Sequence, residues 1–450
     1  MLFLNLNIKI RKGGFILKKN LKEIVITGFA LFSMFFGAGN LIFPPTLGYM
    51  AGESWIVATF GFLITCISLP ILGIISIAMV GGTIEKFTNK VGKNFGKILF
   101  TVIMLAIGPL FCIPRTGATT FELGVLPMFP NSNPIIFSII FFGISYIFSA
   151  NESKVVDKIG IVLTPILLGS LGLIIIKGII NPIGVPISSD LQNPFSIGFT
   201  EGYQTMDAIG SMIVAQMVIA NLIVKGYKSK EQQVNITSKA GVVAAICLGL
   251  VYGGLAYIGA TSKSVFPANM SRTTLLIEIT QSILGSYSKY IFGGAISIAC
   301  LTTSVGLTAT CGNYFNKLSN NKIRYKTVVL IISIFSCIIS NYGVETIINL
   351  AVPVLVTLYP VVIILILLNL FNKIIPNRGT YIGAVYGALI VSVFMSLESI
   401  GLKIPFIVDV IYQFPLSKEG FFWIVPSLLG GTCGTILNYR RKNNFSYKDA

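Results

Sequence analysis

The segment 32–46, FSMFFGAGNLIFPPT, lies within an apolar run but contains residues that disturb a helix. Gly37 and Gly39 flank Ala38, Asn40 follows, and two prolines come about one helical turn later. In lipid, irregular backbone is tolerated only where protein buries it or where it lines a cavity. An unwound stretch frees amide groups and carbonyls that bind a carboxylate and a cation respectively. Close packing through small residues is the alternative, but glycines two positions apart share no helix face, which favours a binding site.

A second stretch of this kind is 200–212, TEGYQTMDAIGSM, which places two acids in or near another apolar run. Gly202 and Gly210 bracket its polar middle, so this helix is also expected to unwind. Acidic side chains within a membrane are costly and mark functional sites by default. Asp207 and Glu201 are therefore candidates for coupling or gating, and a place at the membrane surface is the alternative for Glu201.

Hydroxyl side chains follow a helical spacing in the stretch 295–315, AISIACLTTSVGLTATCGNYF. Ala299, Thr302 and Thr303 lie at positions i, i+3 and i+4, so they share one helix face. Two hydroxyls facing the carbonyls of a broken helix would be hard oxygen ligands suited to a small cation. Hydrogen bonds from these hydroxyls to carbonyls of their own helix are the alternative.

Arg115 lies inside 107–124, IGPLFCIPRTGATTFELG, whose glycines and prolines predict an irregular helix. An unpaired charge at membrane depth costs several kcal/mol. We therefore predict that the guanidinium pairs with Glu122, Glu201 or Asp207 and helps to close the outer side of the site. Glu122 would share a helix face with Arg115, since the two are about two turns apart. Extension of the long side chain to the membrane surface is the alternative.

The composition requires that a membrane bundle position these residues. The chain has 450 residues, of which 54% are hydrophobic and 11% are charged, whereas soluble domains carry roughly 25% charged residues. The segment 261–287 contains an amphipathic pattern that predicts a short helix over the outer face. A helix needs about 20 residues to cross a bilayer, and the sequence predicts about twelve spans: 22–50, 55–80, 96–121, 134–150, 155–178, 197–224, 236–260, 288–315, 326–341, 344–371, 379–397 and 419–438.

The basic residues give an independent test of this count. With the N-terminal tail inside, most of the 33 lysines and arginines fall in alternate, inner segments, as the positive-inside rule requires. Both termini, 1–21 and 439–450, are therefore predicted to be cytoplasmic. The net charge of +17 reports orientation in the membrane, and no nucleic-acid partner is expected. The seven cysteines have no CxxC spacing and the chain has no histidine, so metal and disulfide sites are disfavoured.

The two interrupted helices are the first and the sixth spans. Paired breaks at these positions are expected when spans one to five, 22–178, and spans six to ten, 197–371, form an inverted repeat. Each half then contains an odd number of spans, so the halves cross the membrane in opposite directions. The last two spans, in 379–438, are appended to this repeat.

Four motifs, GAGNLIFPP, AIGPLFCIPRTGATTFE, FTEGYQTMDAIG and ACLTTSVGLTA, resemble the bacterial branched-chain amino acid:cation symporter family of the amino acid–polyamine–organocation superfamily. They occur in order, and the resemblance covers essentially the whole chain. It implies an all-α polytopic membrane protein with a LeuT-like five-plus-five inverted repeat, two extra helices, and broken helices one and six. It also implies sodium-coupled uptake of leucine, isoleucine and valine across the bacterial cytoplasmic membrane.

The resemblance also assigns roles to residues. The substrate carboxylate would meet the amides of Ala38 and Gly39, and its ammonium would meet carbonyls around Thr200–Gln204. The full set of substrate-binding candidates is Gly37, Ala38, Gly39, Asn40, Arg115, Thr200, Tyr203 and Gln204. Asp207, Glu201 and Glu122 are candidates for coupling or gating. One sodium ion would lie between carbonyls near Ser33 and Phe36 and the span-eight residues Ala299, Thr302 and Thr303. No second sodium site is traceable, and no cofactor or catalytic group is expected.

Other functions are compatible with parts of the sequence. A proton-coupled symporter would use Asp207 or Glu201, although the absence of histidine removes one common proton relay. An amino acid exchanger could have the same fold. A channel would more often be an oligomer with a ring of pore residues. The chain has no GxxxxGK[ST] motif, so ATP is not expected to drive transport, and no catalytic cluster indicates an enzyme.

The charge pattern predicts the side of the membrane on which individual residues lie. Lys90, Lys228 and Arg324 should face the cytoplasm, and Lys263 and Lys403 should face outside. Single cysteine replacements at these positions, labelled in intact cells with a membrane-impermeant thiol reagent, test this orientation. The unsubstituted chain controls for the native cysteines. External labelling of Lys228→Cys would show that the helix count is wrong.

Overall fold

In the computed structural model of the protein, residues 20–150, 155–268, 270–402 and 404–446 are described, and within these ranges the chain forms helices and turns without a strand. Its first half contains α1 (20–35), α2 (Ala38–Ala51), α3 (Trp55–Leu63), α4 (Leu69–Val80), α5 (Ile84–Thr88), α6 (Lys93–Leu105), α7 (Cys112–Thr119), α8 (Pro134–Ala150) and α9 (Val155–Ile180). Its second half contains α10 (Pro194–Glu201), α11 (Asp207–Val224), α12 (Lys230–Ser262), α13 (Arg272–Leu284), α14 (Ser288–Leu318), α15 (Tyr325–Ser340), α16 (Val344–Leu370), α17 (Arg378–Ser399), α18 (Pro405–Tyr412) and α19 (Ile424–Ser446).

The helices agree with the predicted spans to within a few residues at most ends, and α13 forms inside 261–287 as predicted. Seven stretches of the described residues are long and apolar enough to cross a membrane: Gly39–Val80, Lys93–Val125, Asp207–Val224, Lys230–Ser262, Arg272–Leu318, Val344–Leu370 and Arg378–Ser399. The apolar helices α8 (Pro134–Ala150) and α15 (Tyr325–Ser340) are shorter. The fold is therefore an all-helical membrane bundle, whereas the count of about twelve spans and the division into repeats stay predictions.

The first break, between α1 and α2, is confined to Phe36 and Gly37. Gly37 is extended, with φ −113° and ψ −175°, and α2 begins at the next residue. Both prolines lie inside α2, so the unwound stretch is shorter than the sequence indicated. Prolines are tolerated in membrane helices because neighbouring groups satisfy the carbonyls that they leave free.

The second break, between α10 and α11, is a 3₁₀ turn over Gly202–Thr205 followed by Met206. Met206 has the left-handed φ of 61°, which is unfavourable for a residue with a side chain. Its side chain is buried, so the surrounding protein holds this conformation in place. Gly210, which the sequence indicated as one limit of the break, lies within α11.

The third span is irregular, as its glycines and prolines predicted. A π-helical turn over Ala106–Leu110 contains Gly108 in a non-helical conformation, and a second π-helical turn covers Thr120–Val125. The short helix α7 lies between the two turns and carries Arg115. Extra residues in π-helical turns re-aim the side chains that follow them, and such turns are frequent at functional sites.

Glycines bring the half-helix α2 into direct backbone contact with α12. A Cβ atom at Gly259 would lie 1.9 Å from the carbonyl oxygen of Pro45, and one at Gly48 would lie 1.8 Å from that of Ala256. No side chain fits at these separations, so both positions require glycine. The contact fixes α2, and with it the first break, against the bundle.

We predict that Gly259→Ala lowers the thermal unfolding midpoint of the purified protein in detergent, because overpacking costs typically about 1–3 kcal/mol. Gly253→Ala is the matched control. It lies on the same helix, and a Cβ there would meet no atom within 4 Å. It should leave the midpoint unchanged or raise it, since alanine favours a helix over glycine by about 1 kcal/mol. Equal midpoints for the two variants would contradict the proposed backbone contact.

Candidate functional site

Two buried charges lie beside the breaks. Among the charged side chains that the structure describes, only Arg115, 3% exposed, and Asp207, 8% exposed, are buried. Arg115 lies on α7, and Asp207 is the first residue of α11. Charged groups at such depth need partners, because burial removes the solvation that stabilises them.

The guanidinium of Arg115 bridges the two breaks. Its Nη1 donates a hydrogen bond to the carbonyl oxygen of Gln204 at 2.8 Å, in the 3₁₀ turn after α10. On its other side it packs against the first turn of α2, where a Cβ at Gly39 would lie 2.6 Å from Nη2. The guanidinium also lies over the ring of Phe43, 5.5 Å from its centroid. A cation at the carbonyl end of a helical segment is electrostatically favourable.

The predicted ion pair between Arg115 and a carboxylate is wrong for the ranges that the structure describes. Glu122 accepts hydrogen bonds from the Thr273 hydroxyl at 2.7 Å and from the Val344 amide at 2.8 Å. Glu201 instead pairs with an arginine of α13. The prediction assumed a regular α-helix from Arg115 to Glu122, whereas Glu122 lies in a π-helical turn, which changes its direction. A backbone carbonyl takes the place of the expected carboxylate.

Asn40 connects the two breaks through its side chain. Its Nδ2 donates a hydrogen bond to Asp207 Oδ2 at 2.6 Å and another to the Tyr252 hydroxyl at 2.5 Å. Asn40 lies in the first turn of α2, Asp207 begins α11, and Tyr252 lies on α12. Both predicted breaks therefore meet at one buried hydrogen-bond network.

Aromatic and sulfur-containing side chains surround this network. Tyr203 stacks on Tyr359 with ring centroids 4.1 Å apart, and Phe36 stacks on Tyr252 at 6.1 Å. The Sγ of Cys112 lies 3.5 Å from the sulfur of Met206. The surroundings of the breaks are therefore apolar apart from a few placed polar groups, which is typical of small-molecule sites.

The remaining substrate-binding candidates differ in their places. Gly37 and Ala38 form the break and the start of α2. The side-chain oxygen of Gln204 is buried and has no hydrogen-bond partner among the described residues. The Thr200 hydroxyl donates to the carbonyls of Ser196 and Ile197 in its own helix, so it does not face the break.

The candidate cation ligands on α14 have the helical arrangement that the sequence predicted. The hydroxyls of Thr302 and Thr303 both donate to the carbonyl oxygen of Ala299 at 2.9 Å, and that of Thr302 also lies 3.1 Å from the carbonyl oxygen of Ile298. These bonds within the helix are the alternative that the sequence left open. A hydroxyl that donates in this way keeps lone pairs that can accept a cation. Ser304 faces away, since its hydroxyl is hydrogen-bonded to that of Ser145 on α8.

The other two candidate ligands lie beside the first break: Ser33 is in the last turn of α1, and Phe36 directly follows that helix. In the described part of the chain, no group of three or more His, Cys, Asp or Glu residues could hold a metal ion. A cation at α1 and α14 would therefore have carbonyl and hydroxyl ligands.

One end of the site is covered by the Arg272 cluster, which contains Arg272, Glu201, Glu345 and Phe43. Arg272 Nη1 lies 2.7 Å from Glu201 Oε2, and its Nε lies 3.4 Å from Glu345 Oε1. Its guanidinium is 5.3 Å from the centroid of Phe43, whose ring Arg115 also contacts. The sequence predicts an amphipathic helix around Arg272 but gives no signal for this role, because no local spacing relates α13 to α10 and α16.

Comparisons with known proteins agree with this geometry. A family model described as branched-chain amino acid transport protein matches residues 20–441. The chain is 38% identical to the branched-chain amino acid permease BraB of Bacillus subtilis, over 92% of this chain and 95% of that protein. It is 33% identical to the permease BrnQ of Escherichia coli, over 91% and 94%. This chain belongs to the branched-chain amino acid transport protein family. It is therefore a multi-pass membrane transporter and not an enzyme, and the resemblance seen in the sequence is confirmed.

Solved structures show the same fold. The inward-facing conformation of Mhp1 superimposes with a TM-score of 0.61 at 12% identity, covering 93% of this chain and 91% of that one. MhsT in complex with L-phenylalanine gives a TM-score of 0.54 at 14% identity, covering 92% and 96%. These likenesses confirm the predicted LeuT-like fold.

We predict that Arg272→Gln increases access to the site from the α13 end of the bundle. Loss of a charged hydrogen bond costs about 1.5–3 kcal/mol, so the open fraction should rise on the order of tenfold or more. The measurement is the labelling rate of Cys112 by a membrane-impermeant thiol reagent on intact cells, followed by peptide mass spectrometry.

Glu345→Gln is the control for this prediction. Its carboxylate lies farther from Arg272 and its side chain is 48% exposed, so its ion pair contributes little. It should change the labelling rate much less. A Cys112 rate that is the same in Arg272→Gln and the unsubstituted chain would show that the Arg272 cluster does not close the site.

Proposed function

We propose that this protein is a sodium-coupled symporter that imports leucine, isoleucine and valine by alternating access. The observation that carries the proposal is the meeting of both helix breaks at Asn40 and Asp207, with the Arg115 guanidinium between them. Its relatives are named branched-chain amino acid permeases. The charge pattern supports a place in the bacterial cytoplasmic membrane with both termini cytoplasmic.

The substrate is proposed to lie between the breaks. Amide groups at the start of α2, at Ala38 and Gly39, carry partial positive charge and would receive the carboxylate. Carbonyls at the end of α10 and its 3₁₀ turn would face the ammonium. The aromatic rings and sulfur atoms near Tyr203 and Met206 supply an apolar environment for a branched aliphatic side chain.

The coupling ion is proposed to lie between the end of α1 and α14. Carbonyls near Ser33 and Phe36 would provide ligands from the broken helix, and Ala299, Thr302 and Thr303 would provide the rest. Oxygen ligands of this kind suit a hard cation such as sodium. The ion would link the two helices, so its binding would bias how α1 packs on the bundle.

Ion pairs near both ends of α11 support alternating access. At one end, Arg272 of α13 holds Glu201 of α10. At the other end, Lys225 follows α11 and lies 2.6 Å from Glu23 of α1. The two ion pairs thus lie near opposite ends of α11, and opening at either place requires breaking its own contacts. The second pair is weaker, because Lys225 is 39% exposed.

A proton-coupled symporter is the second candidate, and the burial of Asp207 is the observation that favours it. A buried carboxylate without an ion pair among the described residues could exchange protons during transport. An exchanger of the same fold is the third. These three functions differ in what drives net uptake.

Uptake of radiolabelled leucine into proteoliposomes distinguishes them. Vesicles free of internal amino acid should accumulate leucine under an inward sodium gradient and should not do so under a proton gradient alone. Uptake driven only by protons would support the role of Asp207 in proton coupling. Uptake that requires internal amino acid would identify an exchanger, and either result would overturn sodium symport.

We predict that Thr303→Ala weakens the sodium activation of leucine binding, with Thr302→Ala similar or weaker. Loss of one coordinating oxygen at a buried charge costs about 1.5–3 kcal/mol, so the sodium midpoint should rise on the order of tenfold to a hundredfold. Coupling is reciprocal, so leucine affinity should fall at low sodium and recover at saturating sodium.

Ser304→Ala is the matched control for the cation site. Its hydroxyl contacts Ser145, so the sodium midpoint should change little. The measurement is the sodium dependence of leucine binding to each purified variant. A midpoint that shifts only in Ser304→Ala would assign the ion to the other face of α14. Unshifted midpoints in all three variants would place the ion elsewhere.

A further inference from the structure

The two buried charges at the breaks have opposite signs, but they do not form an ion pair with each other. Among the described residues, neither Arg115 nor Asp207 takes part in a salt bridge. Both lie at the second break, since Gln204, which accepts from Arg115, is three residues before Asp207. The partners that the chain supplies to them are neutral: the Gln204 carbonyl for Arg115, and the Asn40 amide for Asp207.

We propose that Arg115 and Asp207 each recognise one charge of the substrate zwitterion. The guanidinium binds the α-carboxylate, and the Asp207 carboxylate binds the α-ammonium. This inference rests on the proposed function, in which an amino acid lies between the breaks. It places one charged side chain beside the backbone amides of α2 and another beside the backbone carbonyls after α10. The site would thereby select molecules that carry both charges.

The position of Arg115 fits the carboxylate. The guanidinium packs on the first turn of α2 at Gly39, so a carboxylate beside it also meets the amides that begin that helix. A guanidinium has five donors, and the bonds to the Gln204 carbonyl and the Cys112 sulfur leave others available. A side chain at residue 39 would collide with the guanidinium, so the glycine gives Arg115 its place.

The position of Asp207 fits the ammonium. Its Oδ2 accepts from Asn40, and a carboxylate has further lone pairs for additional donors. Two residues of the preceding 3₁₀ turn carry further acceptor oxygens. Gln204 has a buried side-chain oxygen without a partner in the described ranges, and its neighbour Thr205 lies next to Asp207. An ammonium has three donors, which this group of acceptors matches.

A ligand that carries only one charge leaves the other buried group with a neutral partner. A site built for a hydrogen-bonding group rejects an analogue that lacks the group strongly, because its own polar groups stay unpaired. Apolar contacts, by contrast, discriminate by only about tenfold to two-hundredfold per methylene. Two charge contacts therefore account for selection of α-amino acids better than the apolar walls do.

The test uses three ligands with the same branched chain: L-leucine, 4-methylpentanoate, which lacks the ammonium, and 3-methylbutylamine, which lacks the carboxylate. Their dissociation constants are measured by isothermal titration calorimetry on the purified full chain at fixed sodium. In the unsubstituted protein both analogues should bind on the order of a hundredfold or more weakly than leucine.

Asp207→Asn should weaken the binding of leucine but leave that of 4-methylpentanoate unchanged. The ratio of the two dissociation constants should therefore fall towards unity. Arg115→Gln should do the same for leucine and 3-methylbutylamine. Arg115→Lys keeps the charge and should retain most of the discrimination. Ratios are informative even when part of a preparation is unfolded, because unfolded protein lowers binding capacity and not the ratio.

Glu231→Gln and Arg324→Gln are the controls, because they remove exposed charges that are not part of either break. Both should leave the ratios of the dissociation constants unchanged. Equal loss of all three ligands in Asp207→Asn and Arg115→Gln would show a structural role and overturn the inference. A shifted sodium or pH dependence in Asp207→Asn, with unchanged ratios, would assign it to coupling and also overturn it. Failure of the unsubstituted protein to bind leucine would instead contradict the proposed function.

Discussion

The hydrogen bond from Asn40 to Asp207 joins the first turns of the two half-helices that begin at the breaks. The rest of the site depends on this contact, because a broken helix in a membrane exposes backbone groups that water cannot satisfy. This contact holds the amide groups that begin α2 close to the turn that follows α10. The side-chain amide of Asn40 also donates to the hydroxyl of Tyr252 on α12. This helix packs on α2 through backbone contacts at Gly48 and Gly259.

The packing around the network explains how irregular backbone persists there. Met206 has a left-handed conformation, and its buried side chain lies against Cys112 of α7. The third span supplies α7 between two π-helical turns, so that Arg115 reaches Gln204 and Gly39 together. The strain of the breaks is therefore supported by α7 and α12, which is how functional sites retain unfavourable backbone.

Sequence patterns were sufficient for the features that depend on local chemistry. Apolar runs located the helices, the glycines of GAGN located the first break, and the spacing of Ala299, Thr302 and Thr303 gave one face of α14. Family motifs then indicated the fold. In each case the signal lies within a few turns of one helix, where the periodicity of the helix determines which residues are neighbours.

The errors have a different origin. The predicted pairing of Arg115 with Glu122 failed because a π-helical turn changed the direction of Glu122, and the sequence does not reveal such turns. The contacts of Arg272 with Glu201 and Glu345 were missed because they join three separate helices. Tyr252 and Tyr359 gave no signal, since an aromatic residue in an apolar helix has many equivalent explanations. Tertiary packing decides all of these contacts.

The neutral partners of the two buried charges have a consequence for transport. A direct ion pair between Arg115 and Asp207 would be costly to separate in this apolar environment, and a substrate would have to break it in order to bind. Backbone and amide dipoles instead solvate each charge moderately, so the charges stay available to a zwitterion. Hydrogen bonds between two charged groups are stronger than those between a charged and a neutral group, so the substrate binds well. The neutral partners remain beside the charges when the substrate leaves. Binding is then favourable on one side of the membrane without preventing release on the other, which alternating access requires.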